Sequence, residues 1–162
     1  MKNYRKIINY LYLGDYNSKP KFCEFSLSAA NDFFDEATVK IPTLSDTSYL
    51  SKDGKQLFLN LLDYPDIGAI NPDILKVGLD FINDCVTKQT DLYVHCVWGV
   101  NRSVTLVFIY LVLTKHLRQD NFLKAWKQFK KIYPRANPNP AYWHYLSYNF
   151  PFLDLAFAKI SE

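Results

Sequence analysis

Between Leu92 and Leu117 the chain reads LYVHCVWGVNRSVTLVFIYLVLTKHL: a short apolar stretch, a seven-residue loop from Cys96 to Arg102, and a segment from Ser103 to Leu117 that is apolar on nearly every side. A helix with no polar face has to be covered all round. Leu92-Tyr93-Val94, leading straight into His95 and Cys96, is a buried strand beside which such a helix can lie. This strand, loop and central helix constrain the fold more than any other part of the chain.

The flanking elements fit around it. Asn71-Pro72 is a helix start, with an acceptor side chain at the cap and proline at the first helical position, and Leu75, Leu79, Ile82 and Val86 then recur at helical spacing. Gln56 to Leu62 predicts a strand that runs into the turn-rich Asp63-Tyr64-Pro65-Asp66. Ile7 to Leu13 predicts a strand and turn ending at Gly14-Asp15. A short helix is expected over Ser28 to Phe34, capped by Ser26 or Ser28. The stretch from Asn17 to Asp53, with Pro20 and Pro42, is the least readable. Asp120 is expected to cap a helix whose Phe122, Trp126, Phe129 and Tyr133 mark one face and whose lysines mark another, until Pro134 ends it. Asn139-Pro140 repeats the cap-and-proline start for an aromatic helix that Pro151 breaks, and Phe152 to Ile160 is expected to add a last short helix. Strands and helices alternate first and helices follow, which predicts α/β architecture, a single central mixed sheet flanked by helices.

With 162 residues, 49% of them hydrophobic, the chain suits one domain over 1–162 with a real core. Its three cysteines, Cys23, Cys85 and Cys96, have no paired spacing, and His116 and His144 stand in no metal-ligand pattern, so no metal or cofactor is expected. Such cysteine usage suits a cytoplasmic or other reducing compartment. The opening MKNYRKIINYLYLG lacks the pattern of a signal peptide, and Val104–Leu113 is about half the length needed to cross a bilayer. The net charge of +3 is too mild to imply nucleic acid by itself. Lys115, Arg118, Lys124, Lys127, Lys130, Lys131 and Arg135 gather in the C-terminal half as a solvated face or as a field for an anionic partner.

A loop between a strand's end and a helix N-terminus turns several backbone N–H groups into one concavity, and the helix dipole adds partial positive charge. That place favours anions, and with Arg102 nearby it favours the thiolate of Cys96. Arg102, six residues on, can fold its planar fork over a bound anion with two parallel hydrogen bonds, while Gly99 permits a tight backbone path. A thiolate, a ring of donors from residues Val97, Trp98, Gly99, Val100 and Asn101, and a bidentate arginine suit phosphoryl transfer without a metal. The Gly-Lys-Ser/Thr ending of an ATP-binding loop is missing.

The five fixed letters of His95-Cys96-x-x-Gly99-x-x-Arg102-Ser103 would arise by chance in on the order of one such chain in 10⁵. They match the signature of the protein tyrosine phosphatase superfamily, and the chain resembles its dual-specificity branch. Leu11-Tyr12-Leu13-Gly14 resembles a segment near the start of those domains, and Asp63 lies 33 residues before Cys96, close to where their general acid falls. The resemblance implies a three-layer cysteine-phosphatase-like domain. It also implies a phosphocysteine intermediate formed by Cys96, protonation of the leaving group by Asp63, with Asp66 as the alternative acid, and stabilisation of the departing thiolate by Ser103. His95 either orients the loop or is a satisfied core histidine. Trp98 and Asn101 depart from the commoner residues of the loop, and Trp98 either lines one wall or packs away from it. Cys85 either bridges to Cys96 under oxidation or sits in the core. A phosphorylated protein is the expected substrate. A phosphoinositide or an RNA 5′-phosphate is the alternative, weakened because the loop lacks extra lysines, and a phosphate-binding module without turnover is a third reading.

Overall fold

The computed structural model describes residues 2–41, 45–66, 68 and 70–157. Six strands form one sheet, β1 (Tyr4–Ile8), β2 (Leu11–Gly14), β3 (Phe25–Ser28), β4 (Ser48–Leu50), β5 (Gln56–Leu59) and β6 (Leu92–His95), in the order β1-β2-β6-β3-β5-β4. The inner four are parallel, and β1 and β4 close the edges antiparallel. Helices α1 (Asn31–Thr38), α2 (Pro72–Thr87), α3 (Arg102–Leu113), α4 (Phe122–Ile132) and α5 (Pro140–Asn149) complete a three-layer α/β fold. No described helix is long and apolar enough to cross a membrane.

The apolar segment becomes α3, buried from Arg102 to Val112 and packed against β2 and β6. Phe108 meets Phe122, Trp126, Phe129 and Phe152 edge-on, with ring centroids 5.1–6.1 Å apart. Such pairs add about 0.5–1.5 kcal/mol each beyond the area they bury. They fix the aromatic face of α4 and the chain after α5 onto α3. Asn71 and Asn139 cap α2 and α5 as expected, accepting from Asp73 N at 2.9 Å and Tyr142 N at 3.1 Å.

Several sequence expectations need correction. The single strand over Ile7 to Leu13 is two, β1 and β2, reversed at Tyr10 with φ +72°. Ser26 and Ser28 do not cap a helix. They belong to β3, an inner strand, and α1 begins at Asn31 with no side-chain cap. Asp120 is held by Arg118 at 2.7 Å, and Asn121 caps α4 in its place. The helix expected over 152–160 is a single 3-10 turn, Leu153–Leu155, within the described residues; 158–160 and Pro42 lie outside them.

Candidate active site

In an open parallel sheet the chain leaves every strand on the same side, and ligands bind there, beyond the carboxyl ends. Gly14, Ser28 and His95 are in register across β2, β6 and β3. The segments that follow β2, β3, β5 and β6 therefore converge: Asp15-Tyr16, Asn31-Asp32, Leu61-Asp63 and the loop from Cys96. Ala29 N donates to His95 O at 2.7 Å and Asn31 N to Leu61 O at 2.9 Å, which ties three of them together.

The loop's carbonyls all find donors outside it. His95 Nδ1 lies 3.1 Å from Cys96 O, Tyr16 N donates to Val97 O at 3.3 Å, and Arg135 Nη2 donates to Trp98 O at 3.1 Å. Tyr133 Oη donates to Gly99 O at 2.7 Å, and Asn137 N donates to Val100 O at 2.8 Å. None of the N–H groups of Val97 to Asn101 has an acceptor among the described residues. Peptide groups fixed by their oxygens in this way present their N–H groups to the opposite side, the interior of the loop. Gly99 has φ +69°, and a Cβ there would sit 2.5 Å from the carbonyl of Gly14, so only glycine fits.

Cys96 is 2% exposed, and its Sγ lies 3.1 Å from Ser103 Oγ. Arg102 is equally buried. Its Nη1 donates to Asn31 Oδ1 at 2.9 Å, to Asp32 Oδ1 at 3.2 Å and to Leu61 O at 3.0 Å. Nε has no partner among the described residues, and Nη2 lies 4.0 Å from Asp63 Oδ2. One end of the fork is anchored, and the Nε–Nη2 edge remains for two parallel bonds to an oxyanion.

Asp63 stands beside that edge, its Oδ1 accepting from Asn101 Nδ2 and, at 3.4 Å, from Asn139 Nδ2. Tyr142 Oη donates to Leu62 O at 2.7 Å and holds the preceding residue. Asp66 is turned elsewhere, accepting from Gly68 N at 3.0 Å. The geometry therefore joins Cys96, Arg102, Ser103 and Asp63, and leaves Asp66 outside. Trp98 does not pack away: the residue is 66% exposed, on the loop whose carbonyl Arg135 holds. Cys85 is a buried free cysteine in the last turn of α2, beside the start of β6, whereas Cys96 follows its end. A strand of four residues separates those ends by roughly 13 Å, a span that a disulfide bridges only if the backbone moves. Asn31, Asp32, Tyr133 and Asn139 had no motif to mark them. Only Asn139 carried a signal, as a helix cap.

His95 stacks on Tyr93 and meets Phe33 edge-on. Burial pushes its pKa down to about 4. A carbonyl can only accept, so the neutral ring carries its proton on Nδ1, toward Cys96 O. The unfolded chain binds a proton near pH 6.5 that the folded protein refuses until about pH 4. Stability contributed by neutral His95 is thus present above pH 6.5 and lost as pH falls through that window, by about 3 kcal/mol in all. Denaturant midpoints of wild type and His95→Gln at pH 7 and pH 4.5 should show a smaller acid loss in the variant. Equal losses would remove His95 as a cause.

A profile described as dual specificity phosphatase, catalytic domain, matches residues 11–149. Dual specificity protein phosphatase PHS1 of Arabidopsis thaliana is 38% identical over 69 residues, 43% of this chain and 7% of its own length. Dual specificity protein phosphatase 15 of Mus musculus is 30% identical over 101 residues, 62% of this chain and 38% of its own. The chain thus matches less than half the length of these curated relatives. Among solved structures, that of DUSP15 superposes with a TM-score of 0.70 at 20% identity, over 96% of this chain and 91% of the other. PTPMT1 in complex with PI(5)P superposes with a TM-score of 0.62 at 20% identity, over 90% and 92%. At such identities these structures establish the fold alone.

Proposed function

Because the chain belongs to the dual specificity phosphatase catalytic-domain family, we propose that it hydrolyses phosphomonoesters through a phosphocysteine on Cys96, with phosphorylated protein as its substrate. The observation that carries this reading is the set of donors without acceptors among the described residues, the loop N–H groups and the Nε–Nη2 edge of Arg102, on the loop and helix that follow one sulfur. They supply the positive potential that a transferring phosphoryl group requires, and so no metal is needed for that task.

In the first step the Cys96 sulfur attacks phosphorus: the S–P bond forms, the ester P–O bond breaks, and Asp63 gives its proton to the departing oxygen. In the second, water attacks the phosphocysteine, the S–P bond breaks, and the Asp63 carboxylate takes the water's proton. The Ser103 hydroxyl, 3.1 Å from Sγ, donates to the leaving sulfur. Ester and water are consumed; alcohol and phosphate are released.

Two features favour a protein phosphoester over a polyanionic lipid or RNA. The loop contains no lysine, and the carboxylate of Asp32 lies against Arg102, so a second phosphate close by would meet negative charge. Tyr16, Tyr64 and Trp98 are exposed beside the site and offer faces for an aromatic ester and its peptide. The test is turnover in EDTA on phosphotyrosine, phosphoserine and phosphothreonine peptides, inositol lipids and 5′-phosphorylated RNA. Peptide turnover is expected to lead, and Asp63→Asn to lower it about 10²-fold with substrate affinity retained. A lead by lipid or RNA would overturn the substrate class. No turnover, with tungstate still bound, would overturn the enzyme in favour of a binding module.

A further inference from the structure

Asn101 occupies the N-cap position of α3, where an asparagine side chain ordinarily accepts from the first turn of the helix. Here it makes no such bond. Its side chain is buried, 5% exposed, and spans two other segments: Oδ1 accepts from Asn139 N at 2.9 Å, and Nδ2 donates to Asp63 Oδ1. The amide cannot be reversed. A backbone N–H only donates, so the amide oxygen must face Asn139, and the amide nitrogen must face Asp63.

From this geometry, and resting on the function proposed above, we propose that Asn101 is a positioning residue that orients the general acid. With Oδ1 of Asp63 committed as an acceptor to Asn101, and at 3.4 Å to Asn139, the transferable proton is carried on Oδ2. Oδ2 is the oxygen that faces Nη2 of Arg102, at 4.0 Å, and hence the phosphoryl group held by that edge. The same arrangement leaves the first N–H groups of α3 uncapped by Asn101, free for the phosphoryl oxygens. One residue thereby aims the acid and withholds a side-chain cap from the anion site. It is a role for the side chain, distinct from that of the backbone N–H of Asn101 in the loop.

The acid matters most when the leaving oxygen is a poor leaving group, so a mis-aimed acid has a signature that a loosened loop lacks. Wild type, Asn101→Ala, Asn101→Asp, Asp63→Asn and the Asn101→Ala/Asp63→Asn double variant are compared on phenyl phosphate and on dinitrophenyl phosphate. Asn101→Asp keeps an acceptor for Asn139 N and removes the donor to Asp63; the carboxyl it sets beside the anion site lowers the rates on both esters alike and leaves their ratio as the readout, so it reports even where the alanine variant is poorly folded. For both single variants at Asn101, the fall in kcat/KM, which the second step shared by both esters does not enter, should be greater on phenyl phosphate than on the dinitrophenyl ester by roughly tenfold or more. In the Asp63→Asn background Asn101→Ala should add little further loss on phenyl phosphate. Equal losses on both esters, or losses that add in the double variant, would overturn the inference while leaving the enzyme reading intact. Failure of wild type to turn over either ester would overturn both, and would show before any variant is compared.

Discussion

Serine in place of Cys96 should reduce kcat on every phosphoester by about 10⁴-fold or more, while tungstate still binds. The substitution removes the polarisable sulfur and leaves a hydroxyl for which the site has no base. Asp63 cannot serve as one, since the first step uses it as the acid. His95 is too weak a base for it, since burial pushes its pKa down to about 4, and its ring is packed against Tyr93 and Phe33. The loop N–H groups are set by carbonyl contacts to Tyr16, Tyr133, Arg135 and Asn137, and the free edge of Arg102 by the anchoring of Nη1 on Asn31, Asp32 and Leu61, so neither depends on the sulfur. Binding and turnover should therefore separate cleanly. The measurement is steady-state turnover beside tungstate titration by calorimetry, and residual activity within tenfold of wild type would require another nucleophile.

The part of this molecule that was legible in its sequence is the part whose physics is local. An all-apolar α3 must be buried, and a strand feeding it through His-Cys-x-x-Gly-x-x-Arg-Ser makes an anion-binding turn whatever surrounds it. Asn71-Pro72 and Asn139-Pro140 carry their own start signals, and both helices begin there. What was not legible depends on partners distant in sequence or on competition between adjacent candidates. The reversal at Tyr10 uses a positive φ without glycine or proline to announce it. β3 is four residues whose serines also suit a cap, and its central place comes only from pairing with β6 and β5. Asp120 and Asn121 can each cap α4, and Arg118 decides between them by binding the aspartate. Asn31 and Asp32 reach Arg102 because the order β6-β3-β5 puts the ends of β3 and β6 side by side, which no spacing along the chain expresses. Trp98 stands exposed on a loop whose carbonyl at that residue is held by Arg135, a contact between residues 37 apart.

The basic residues of the C-terminal half resolve in the same way. Arg118 pairs with Asp120, and Lys130 Nζ donates to Pro134 O at 2.8 Å and Ala136 O at 2.7 Å. Those two carbonyls flank Arg135, so Lys130 braces the segment that in turn braces the Cys96 loop through Tyr133, Arg135 and Asn137. Lys124, Lys127 and Lys131 remain on the solvated face.

Lysine in place of Arg102 should be nearly as damaging as loss of the nucleophile, about 10³-fold in kcat, although the charge is conserved. Arg102 performs two tasks at once. Nη1 satisfies Leu61 O and holds Asn31 and Asp32, and the opposite edge, Nε and Nη2, faces the phosphoryl group. An ammonium on a flexible stem has donors at one point only. If it stays with Leu61, Asn31 and Asp32, the phosphoryl oxygens lose both parallel bonds. If it moves to the phosphate, Leu61 O keeps only Asn31 N, Asn31 Oδ1 loses its donor, and Asp32 faces the incoming dianion unpaired. Either choice raises the barrier, and the second also weakens binding of the ground state. Paired kcat and tungstate-affinity measurements on Arg102→Lys and Arg102→Ala distinguish geometry from charge: both variants should fall together, within about tenfold of each other, because the fork and not the charge is what lysine lacks. Retention of a tenth or more of wild-type kcat by the lysine variant would show that a positive charge suffices and that the anchored fork is dispensable.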